Sequence, residues 1–185
     1  MMRILGVSGS LRAGSSNTAL LRALSALAPE GVEIVFAAPL DRLPHFNPDL
    51  DREVPPSAVG SWRAELESAE GVVISSPEYA HGIPGVLKNA LDWDVSSGKL
   101  AGKPVALITA SPSHLGAAKA QASLIQTLSA MSACIVDQAS IDLPAIYKKF
   151  DEKGNLVDPR VIRMLQERME VFVSVINTKS VRDAI

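Results

Sequence analysis

The sequence predicts an α/β domain in which one parallel sheet of five strands is covered by helices on both faces. Short apolar runs alternate with longer segments of helical period, as in chains that build a parallel sheet. Most of the apolar runs are continuous, which is typical of strands buried on both sides. The predicted strands are Arg3–Ser8, Glu33–Ala37, Gly71–Ser76, Pro104–Ala110 and Ala133–Asp137. The predicted helices are Asn17–Ala28, Ser57–Glu70, Pro84–Val95, Leu115–Met131 and Pro159–Ile176.

Five such strand–helix units predict a flavodoxin-like three-layer sandwich with strand order 2-1-3-4-5. In that order the loops after the first and third strands flank the point where the sheet reverses its winding, and ligands bind there. These two loops carry the most unusual sequence in the chain. We therefore expect a ligand site between them.

Local signals support the predicted helix starts. Asn17 can cap the first helix, Pro84 suits the first turn of the third, and Asp158 followed by Pro159 suits the start of the last. The segment Pro39–Pro56 is rich in proline and predicts a long ordered loop, a kind of segment that often carries function.

Length and composition narrow the class of protein. With 185 residues, 47% of them hydrophobic, we expect residues 1–185 to form one globular domain. A net charge of −2 gives no basic footprint for nucleic acid. No apolar run approaches the roughly 20 residues of a membrane-spanning helix. The one cysteine, Cys134, opens an apolar strand, so we expect an inert core thiol and a cytoplasmic location.

The loop after the first strand has the chemistry of an anion site. Three serines, an asparagine and an arginine lie where a strand ends and a helix begins, and free N–H groups at a helix start favour anions. The guanidinium of Arg12 adds a permanent charge and a fork of donors that suits a phosphate. We predict a phosphate site formed by Ser10, Leu11, Arg12, Ser15, Ser16 and Asn17.

Several phosphate ligands do not fit this loop. Gly9 and Gly14 have the spacing of a P-loop, but Ser15 stands where its lysine should be. The dinucleotide fingerprint G-x-G-x-x-G is missing, and no acidic residue closes the second strand to hold an adenosine ribose. A low-molecular-weight tyrosine phosphatase needs a cysteine here. A ligand with a single phosphate, such as FMN, remains.

The loop after the third strand suits a planar ring. Its prolines stiffen it, and its glycines let the backbone approach a flat ligand closely. His81 lies on this loop, and two interpretations stay open: it shapes the substrate side of a bound ring, or it is an ordinary polar surface residue.

Both loops resemble the motifs of NAD(P)H-dependent FMN reductases, the group that includes quinone and chromate reductases. The first motif is Gly9-Ser10-Leu11-Arg12 followed by Ser16-Asn17. The second runs from Pro77-Glu78-Tyr79 through Pro84-Gly85 to Asp92-Trp93, and Leu100-Ala101-Gly102-Lys103-Pro104 follows as it does in that family. The resemblance extends from about Arg3 to about Val173.

This resemblance implies where FMN binds. Its phosphate would contact Ser10, Arg12, Ser16 and Asn17 and the backbone between them, and its ring would contact Pro77, Glu78, Tyr79, Ala80 and Ser111. Ala80 replaces the asparagine most common in the family. The segment 111–117 replaces a more glycine-rich stretch.

The resemblance also implies an activity. NAD(P)H would be the co-substrate, and hydride would pass through flavin N5 to a small acceptor such as a quinone, azo dye or metal oxyanion. The cofactor carries this chemistry, so no catalytic side chain is predicted. No metal site is predicted either, because His45, His81 and His114 lack the spacing of a helical metal pair. The alternatives are a flavodoxin-type electron carrier and a domain that has lost its flavin.

A homodimer or homotetramer is expected, with an interface close to the flavin. The chain is only 4% aromatic and therefore has few aromatic residues of its own to cover the exposed face of the flavin ring. The apolar residues Leu43, Pro44 and Phe46 are candidates for a surface that a neighbouring subunit presents. Trp93, between Asp92 and Asp94, is predicted to mark a contact surface.

Overall fold

A computed structural model describes the backbone of residues 1–183 and the side chains of residues 1–179. One sheet forms its centre, built from β1 (Met2–Ser8), β2 (Val32–Phe36), β3 (Gly71–Ser76), β4 (Pro104–Ala110), β5 (Cys134–Ile135) and β6 (Ile141–Leu143). The helices are α1 (Ser16–Ala26), α2 (Ser57–Ser68), α3 (Gly85–Asp92), α4 (Ala118–Ala130) and α5 (Pro159–Asp183).

The strand order is β2-β1-β3-β4-β5 with every pair parallel, which confirms the predicted fold class. Apolar side chains cover both faces of this sheet. One core cluster joins it to α1 and α5, and a second joins it to α2, α3 and α4. Gly71 allows α5 to approach closely, because a Cβ there would lie 2.6 Å from Cδ1 of Ile176.

The edge of the sheet beyond β4 differs from the prediction. The strand expected at Ala133–Asp137 is only two residues long, and after a short turn the chain returns to β4 as β6. Ser140 lies between the segments of chain that pair with β4 as β5 and as β6. Its hydroxyl accepts a hydrogen bond from the Leu107 N–H at 3.0 Å and donates one to the Val136 carbonyl at 3.1 Å. A side chain thus supplies the partner of one β4 amide, and the ladder is divided into two short strands.

The helix ends also depart from their predicted positions. Ser15, not Asn17, caps α1, because its hydroxyl accepts a hydrogen bond from the Thr18 N–H at 3.3 Å. The fourth helix begins at Ala118, three residues later than expected, because residues 111–117 form an ordered loop. Asp158 caps α5 as expected, accepting from the Arg160 N–H at 2.9 Å. Among the described residues no helix is both long and apolar enough to cross a membrane.

Trp93 is wholly buried, so the prediction that it marks a contact surface is wrong. Its indole N–H donates to the Pro44 carbonyl at 2.8 Å, and its ring meets that of Phe46 edge-on at 5.1 Å. Asn89 holds the same loop, accepting from the Phe46 N–H at 2.7 Å and donating to the Pro44 carbonyl at 3.0 Å. The loop Pro39–Pro56, which includes two short 3₁₀ turns, is therefore anchored to its own α3.

Cys134 is exposed, so the expectation of a core thiol is also wrong. It lies in β5, at the edge of the sheet, where a strand is covered less than its apolar sequence suggests.

Candidate functional site

The loops after β1 and β3 meet at the carboxyl end of the sheet, as the strand order requires. The N–H of Gly9 donates to the Ser75 carbonyl at 2.8 Å and joins the first loop to the end of β3. A Cβ at Gly9 would lie 3.1 Å from both the Ser76 hydroxyl and Cδ2 of Leu87, so a larger residue would force these neighbours apart. Glycine is what allows the two loops to lie in contact.

The loop after β1 holds a set of donors without protein acceptors. Within the described part of the chain, the backbone N–H groups of Leu11, Ala13, Gly14, Ser16 and Asn17 have no hydrogen-bond partner. The exposed guanidinium of Arg12 has none either. A phosphate offers several acceptor oxygens and negative charge, which suits N–H groups at a helix start. The loop therefore fits the phosphate of FMN.

The three serines of this loop have different local roles. The Ser10 hydroxyl accepts from the Arg12 N–H at 3.4 Å and so stabilises the turn itself. The hydroxyl of Ser15 is used as the α1 cap. Ser16 is half-buried and its hydroxyl has no hydrogen-bond partner among the described residues, which leaves it available to a ligand.

Asn17 connects three elements of the site. Its side chain is 4% exposed, its Nδ2 donates to the Ala110 carbonyl at 3.3 Å, and its Oδ1 accepts from the Ser75 hydroxyl at 3.1 Å. These bonds join the start of α1 to the ends of β3 and β4. One side-chain N–H and the Oδ1 atom of Asn17 are thus bonded within the protein, and its backbone N–H has no partner among the described residues.

The loop after β3 forms a tight turn. Tyr79 and Gly82 exchange both backbone hydrogen bonds at 3.0 Å, and the two residues between them have positive φ, 47° for Ala80 and 65° for His81. Two positive φ angles correspond to a type I′ turn, which favours asparagine and glycine. The ring of Tyr79 is half-exposed beside this turn. This turn, Tyr79–Gly82, forms a ledge next to the loop after β1, residues 9–17, which is the phosphate loop of the prediction.

Glu78 bridges the turn and the start of α4. Its Oε2 accepts hydrogen bonds from the N–H groups of Lys119 and Ala120, at 3.0 and 3.1 Å, and its Oε1 lies 3.3 Å from Nδ1 of His81. The bond from the Ala120 N–H, aided by those from His81 and Lys119, lowers the pKa of Glu78 from its usual 4.5 against the opposing effect of burial. Both carboxylate oxygens have protein partners.

Ser111 lies on the third loop at the same end of the sheet and is nearly buried. Its N–H donates to the Leu143 carbonyl at 3.2 Å, and its hydroxyl accepts from the Ser113 N–H at 3.1 Å. The N–H groups of Ala145 and Ile146 donate to the Ser113 and Ser111 carbonyls at 2.9 and 3.0 Å, so β6 and the residues after it hold this loop in place. Sequence analysis missed that segment, which is too short to show a strand period.

Two further residues near the phosphate loop were not predicted. A groove of about 440 Å³ lies on its β2 side, and both Arg22 and Phe36 line it. Arg22 could have been found from the sequence. It follows Thr18 by four residues on the helix after the anion loop, and residues at this spacing share one helix face. Among the described residues, no group of three or more His, Cys, Asp or Glu side chains is placed to hold a metal ion.

Comparison with known proteins identifies the family. The sequence model of the NADPH-dependent FMN reductase family matches residues 2–147, and this range includes all three loops. The chain belongs to this family. That membership confirms the resemblance of the two loop motifs.

Curated relatives in this family cover nearly the whole chain. An NAD(P)H-dependent FMN reductase of Pseudomonas aeruginosa is 33% identical over 173 residues, 92% of this chain and 93% of its own. A quinone reductase of Escherichia coli K12 is 31% identical over 92% of this chain and 93% of its own. A 2-hydroxy-1,4-benzoquinone reductase of a Burkholderia species is 31% identical over 97% of this chain and 99% of its own.

A solved structure agrees with these relatives. The flavoenzyme FerB of Paracoccus denitrificans, an NAD(P)H:(acceptor) oxidoreductase, superposes with a TM-score of 0.83 at 29% identity, over 96% of this chain and 98% of its own. The protein is a flavin-dependent oxidoreductase of the FMN reductase family, with FMN as cofactor and NAD(P)H as reductant.

Proposed function

We propose that this FMN reductase family member transfers reducing equivalents from NAD(P)H to a small acceptor of the quinone class. Two of the relatives described above are named for quinone or benzoquinone reduction. Azo dyes and metal oxyanions are the other acceptors expected from the family resemblance. The observation that carries the proposal is the unpaired donor set of the loop after β1, which lies against the ledge after β3.

The proposed contacts follow from this geometry. The phosphate would be held by the free backbone N–H groups of Leu11, Ala13, Gly14, Ser16 and Asn17, by the Ser10 and Ser16 hydroxyls and by the Arg12 guanidinium. The ring would contact Pro77, Tyr79, Ala80 and Ser111. Glu78 contributes its backbone here, because both oxygens of its side chain have protein partners.

Bound FMN supplies hydride acceptance and donation at its N5 atom. The protein's own residues bind the phosphate, orient the ring and leave one face open to the two substrates in turn. Positioning of this kind accounts for the protein's contribution in a cofactor enzyme, so no side chain is assigned a proton-transfer role.

Steady-state kinetics of the purified holoenzyme test this proposal. NADPH oxidation is measured with a benzoquinone, an azo dye and chromate as acceptors, over a matrix of donor and acceptor concentrations. We expect parallel double-reciprocal lines, as in ping-pong kinetics, and the highest kcat/KM with the quinone. FMN binding without turnover would instead support the electron-carrier alternative, and the absence of FMN binding would contradict both.

We further propose a homodimer or homotetramer that acts in the cytoplasm. Leu50, Val54 and Phe46 keep 43%, 86% and 37% of their surface exposed on the loop Pro39–Pro56, which supports an interface there. Closed symmetric oligomers are the commonest assemblies. Light scattering tests this, and a fully active monomer of 19.6 kDa would contradict it.

A further inference from the structure

The groove on the β2 side of the phosphate loop is separate from the ledge after β3. β1 lies between β2 and β3 in the sheet, so the two features lie on opposite sides of the loop that follows β1. The groove has a volume of about 440 Å³, within the range of small-ligand sites. Its lining residues are Gly6, Ser8, Ser10, Leu11, Arg12, Ala13, Thr18, Arg22, Phe36, Ala37, Ala38, Pro39, Leu40 and Asp41.

The charge of this groove favours an anion. Arg12 comes from the loop and Arg22 from the second turn of α1, and Asp41 is the one acid among the lining residues. Within residues 1–179, whose side chains the structure describes, neither guanidinium has an ion-pair or hydrogen-bond partner. Arg22 lies four residues after Thr18, on the same face of the helix, and both line the groove. Two unpaired guanidinium groups at one cleft suit a phosphate.

The floor of the groove favours an aromatic ring. Phe36 is the last residue of β2 and keeps 44% of its surface exposed, beside Ala37 and Ala38. Exposed aromatic side chains are platforms on which a nucleobase stacks. Phosphate donors and a stacking surface in one groove are the requirements of a nucleoside phosphate.

The end of β2 distinguishes between two dinucleotides. In dinucleotide-binding doubly wound folds, an acidic residue about 20 residues after the first loop binds the 2′-hydroxyl of an adenosine ribose, whereas a nearby arginine accommodates a 2′-phosphate. Here β2 ends at Phe36 with two alanines and no acid, and Arg22 lines the same groove. A dinucleotide lying across the phosphate loop would have its adenosine here and its nicotinamide on the side of the ring ledge.

We propose that this groove binds the adenosine 2′-phosphate of NADPH, with Arg22 as the residue that selects NADPH over NADH and Phe36 as the stacking surface for adenine. The inference rests on the proposed function, because it assigns a site to the reductant of that reaction. Arg12 is shared with the flavin phosphate, so Arg22 is the residue on which the test depends.

The test is calorimetric titration of the FMN-loaded protein with 2′,5′-ADP and with 5′-AMP, which differ by the 2′-phosphate. The wild type is expected to bind 2′,5′-ADP at least tenfold more tightly. R22Q should lower the affinity for 2′,5′-ADP about tenfold, as expected for the loss of one charge-assisted hydrogen bond. It should leave the affinity for 5′-AMP unchanged. F36L should weaken both nucleotides by a similar factor.

Steady-state kinetics provide a second readout. R22Q should raise the KM for NADPH about tenfold while the KM for NADH and the affinity for FMN stay unchanged. R163Q, at an exposed arginine of α5 outside the groove, is the matched control and should behave like the wild type in every assay.

Some results would overturn the inference. Equal affinities of the wild type for 2′,5′-ADP and 5′-AMP would do so, as would an R22Q variant with unchanged affinity for 2′,5′-ADP. The titration needs no turnover, so its result does not depend on whether the protein reduces an acceptor. A protein that binds 2′,5′-ADP through Arg22 and yet oxidises no NADPH supports this site while contradicting the proposed reaction.

Discussion

Glu78 and Ala120 are joined by a hydrogen bond of 3.1 Å across 42 positions of the chain. The carboxylate of Glu78 accepts from the backbone N–H of Ala120, in the first turn of α4, and from that of Lys119 beside it. The residue before α4, Ala117, has no side chain that can cap the helix. The loop after β3 therefore caps a helix that follows β4, and one side chain connects this loop to the first turn of α4.

This connection predicts a loss of stability in Glu78→Ala. The substitution leaves two N–H groups of α4 without acceptors, and we expect the free energy of unfolding to fall by about 0.5–2 kcal/mol, the range measured for lost helix caps. Chemical denaturation of the FMN-free protein measures it. Glu30→Ala, at an exposed turn, is the control and should have no effect. Equal losses in the two variants would show that Glu78 does not act as a cap.

The same contact predicts a pH dependence. The N–H of Ala120, with His81 and Lys119, lowers the pKa of Glu78 from 4.5, so the contribution of its charge is complete above that value. It is lost as the pH falls through the lowered pKa of the folded state. The difference in stability between wild type and Glu78→Gln should thus be largest near pH 7 and shrink below about pH 4.5. A difference that stays constant down to pH 3 would contradict this assignment.

Arg12→Ala should weaken FMN binding by about 1.5–3 kcal/mol, the usual contribution of a hydrogen bond to a charged group. The guanidinium has no protein partner among the described residues, so its removal disturbs no internal contact. Riboflavin, which lacks the phosphate, should lose much less affinity, and the wild type should prefer FMN to both riboflavin and FAD. Titration by flavin fluorescence measures these affinities. Unchanged FMN affinity would show that Arg12 does not contact the phosphate.

Asn17 and Ser16 are adjacent in sequence but should differ in their effect on stability. Asn17→Ala leaves the buried Ser75 hydroxyl and Ala110 carbonyl without their partner, and we expect a loss of about 1–3 kcal/mol in the FMN-free protein. Ser16→Ala removes a hydroxyl without a described partner and should change stability by less than about 0.5 kcal/mol. Thermal unfolding without FMN compares them, and similar values for the two variants would contradict the structural role of Asn17.

Ala80→Asn should stabilise the protein. Ala80 has a φ of 47°, a conformation that costs most L-residues about 1–2 kcal/mol and that asparagine tolerates better. We expect a gain of about 0.5–1 kcal/mol from Ala80→Asn, part of that cost, and a similar gain from Ala80→Gly. Ala80→Val should have the opposite effect, because a β-branched residue is strained at positive φ. Denaturant midpoints of the three variants are compared with that of the wild type. A different order of stability would contradict the positive φ of Ala80.

The sequence alone was sufficient for the order of the five predicted strands. Continuous apolar runs such as Val72–Ile74 are local signals of a strand buried on both faces, and they predict a doubly wound sheet whose loops meet at one edge. The serines and Arg12 of the first loop indicated a phosphate because their chemistry does not depend on distant residues. The strand prediction succeeded because its signal lies in short stretches of chain, whereas the phosphate contacts of the first loop stay a prediction.

The tertiary structure decided what each side chain does. Trp93 stands between two acidic residues in sequence, but it is buried in the core and contacts Pro44 and Phe46, which are distant along the chain. The amide of Asn17 and the carboxylate of Glu78 are occupied by Ala110 and Ala120, so neither role could be inferred from its own motif. The sequence specifies which donors and acceptors are available. Only the packing of distant segments determines which of them are satisfied within the protein and which remain for a ligand.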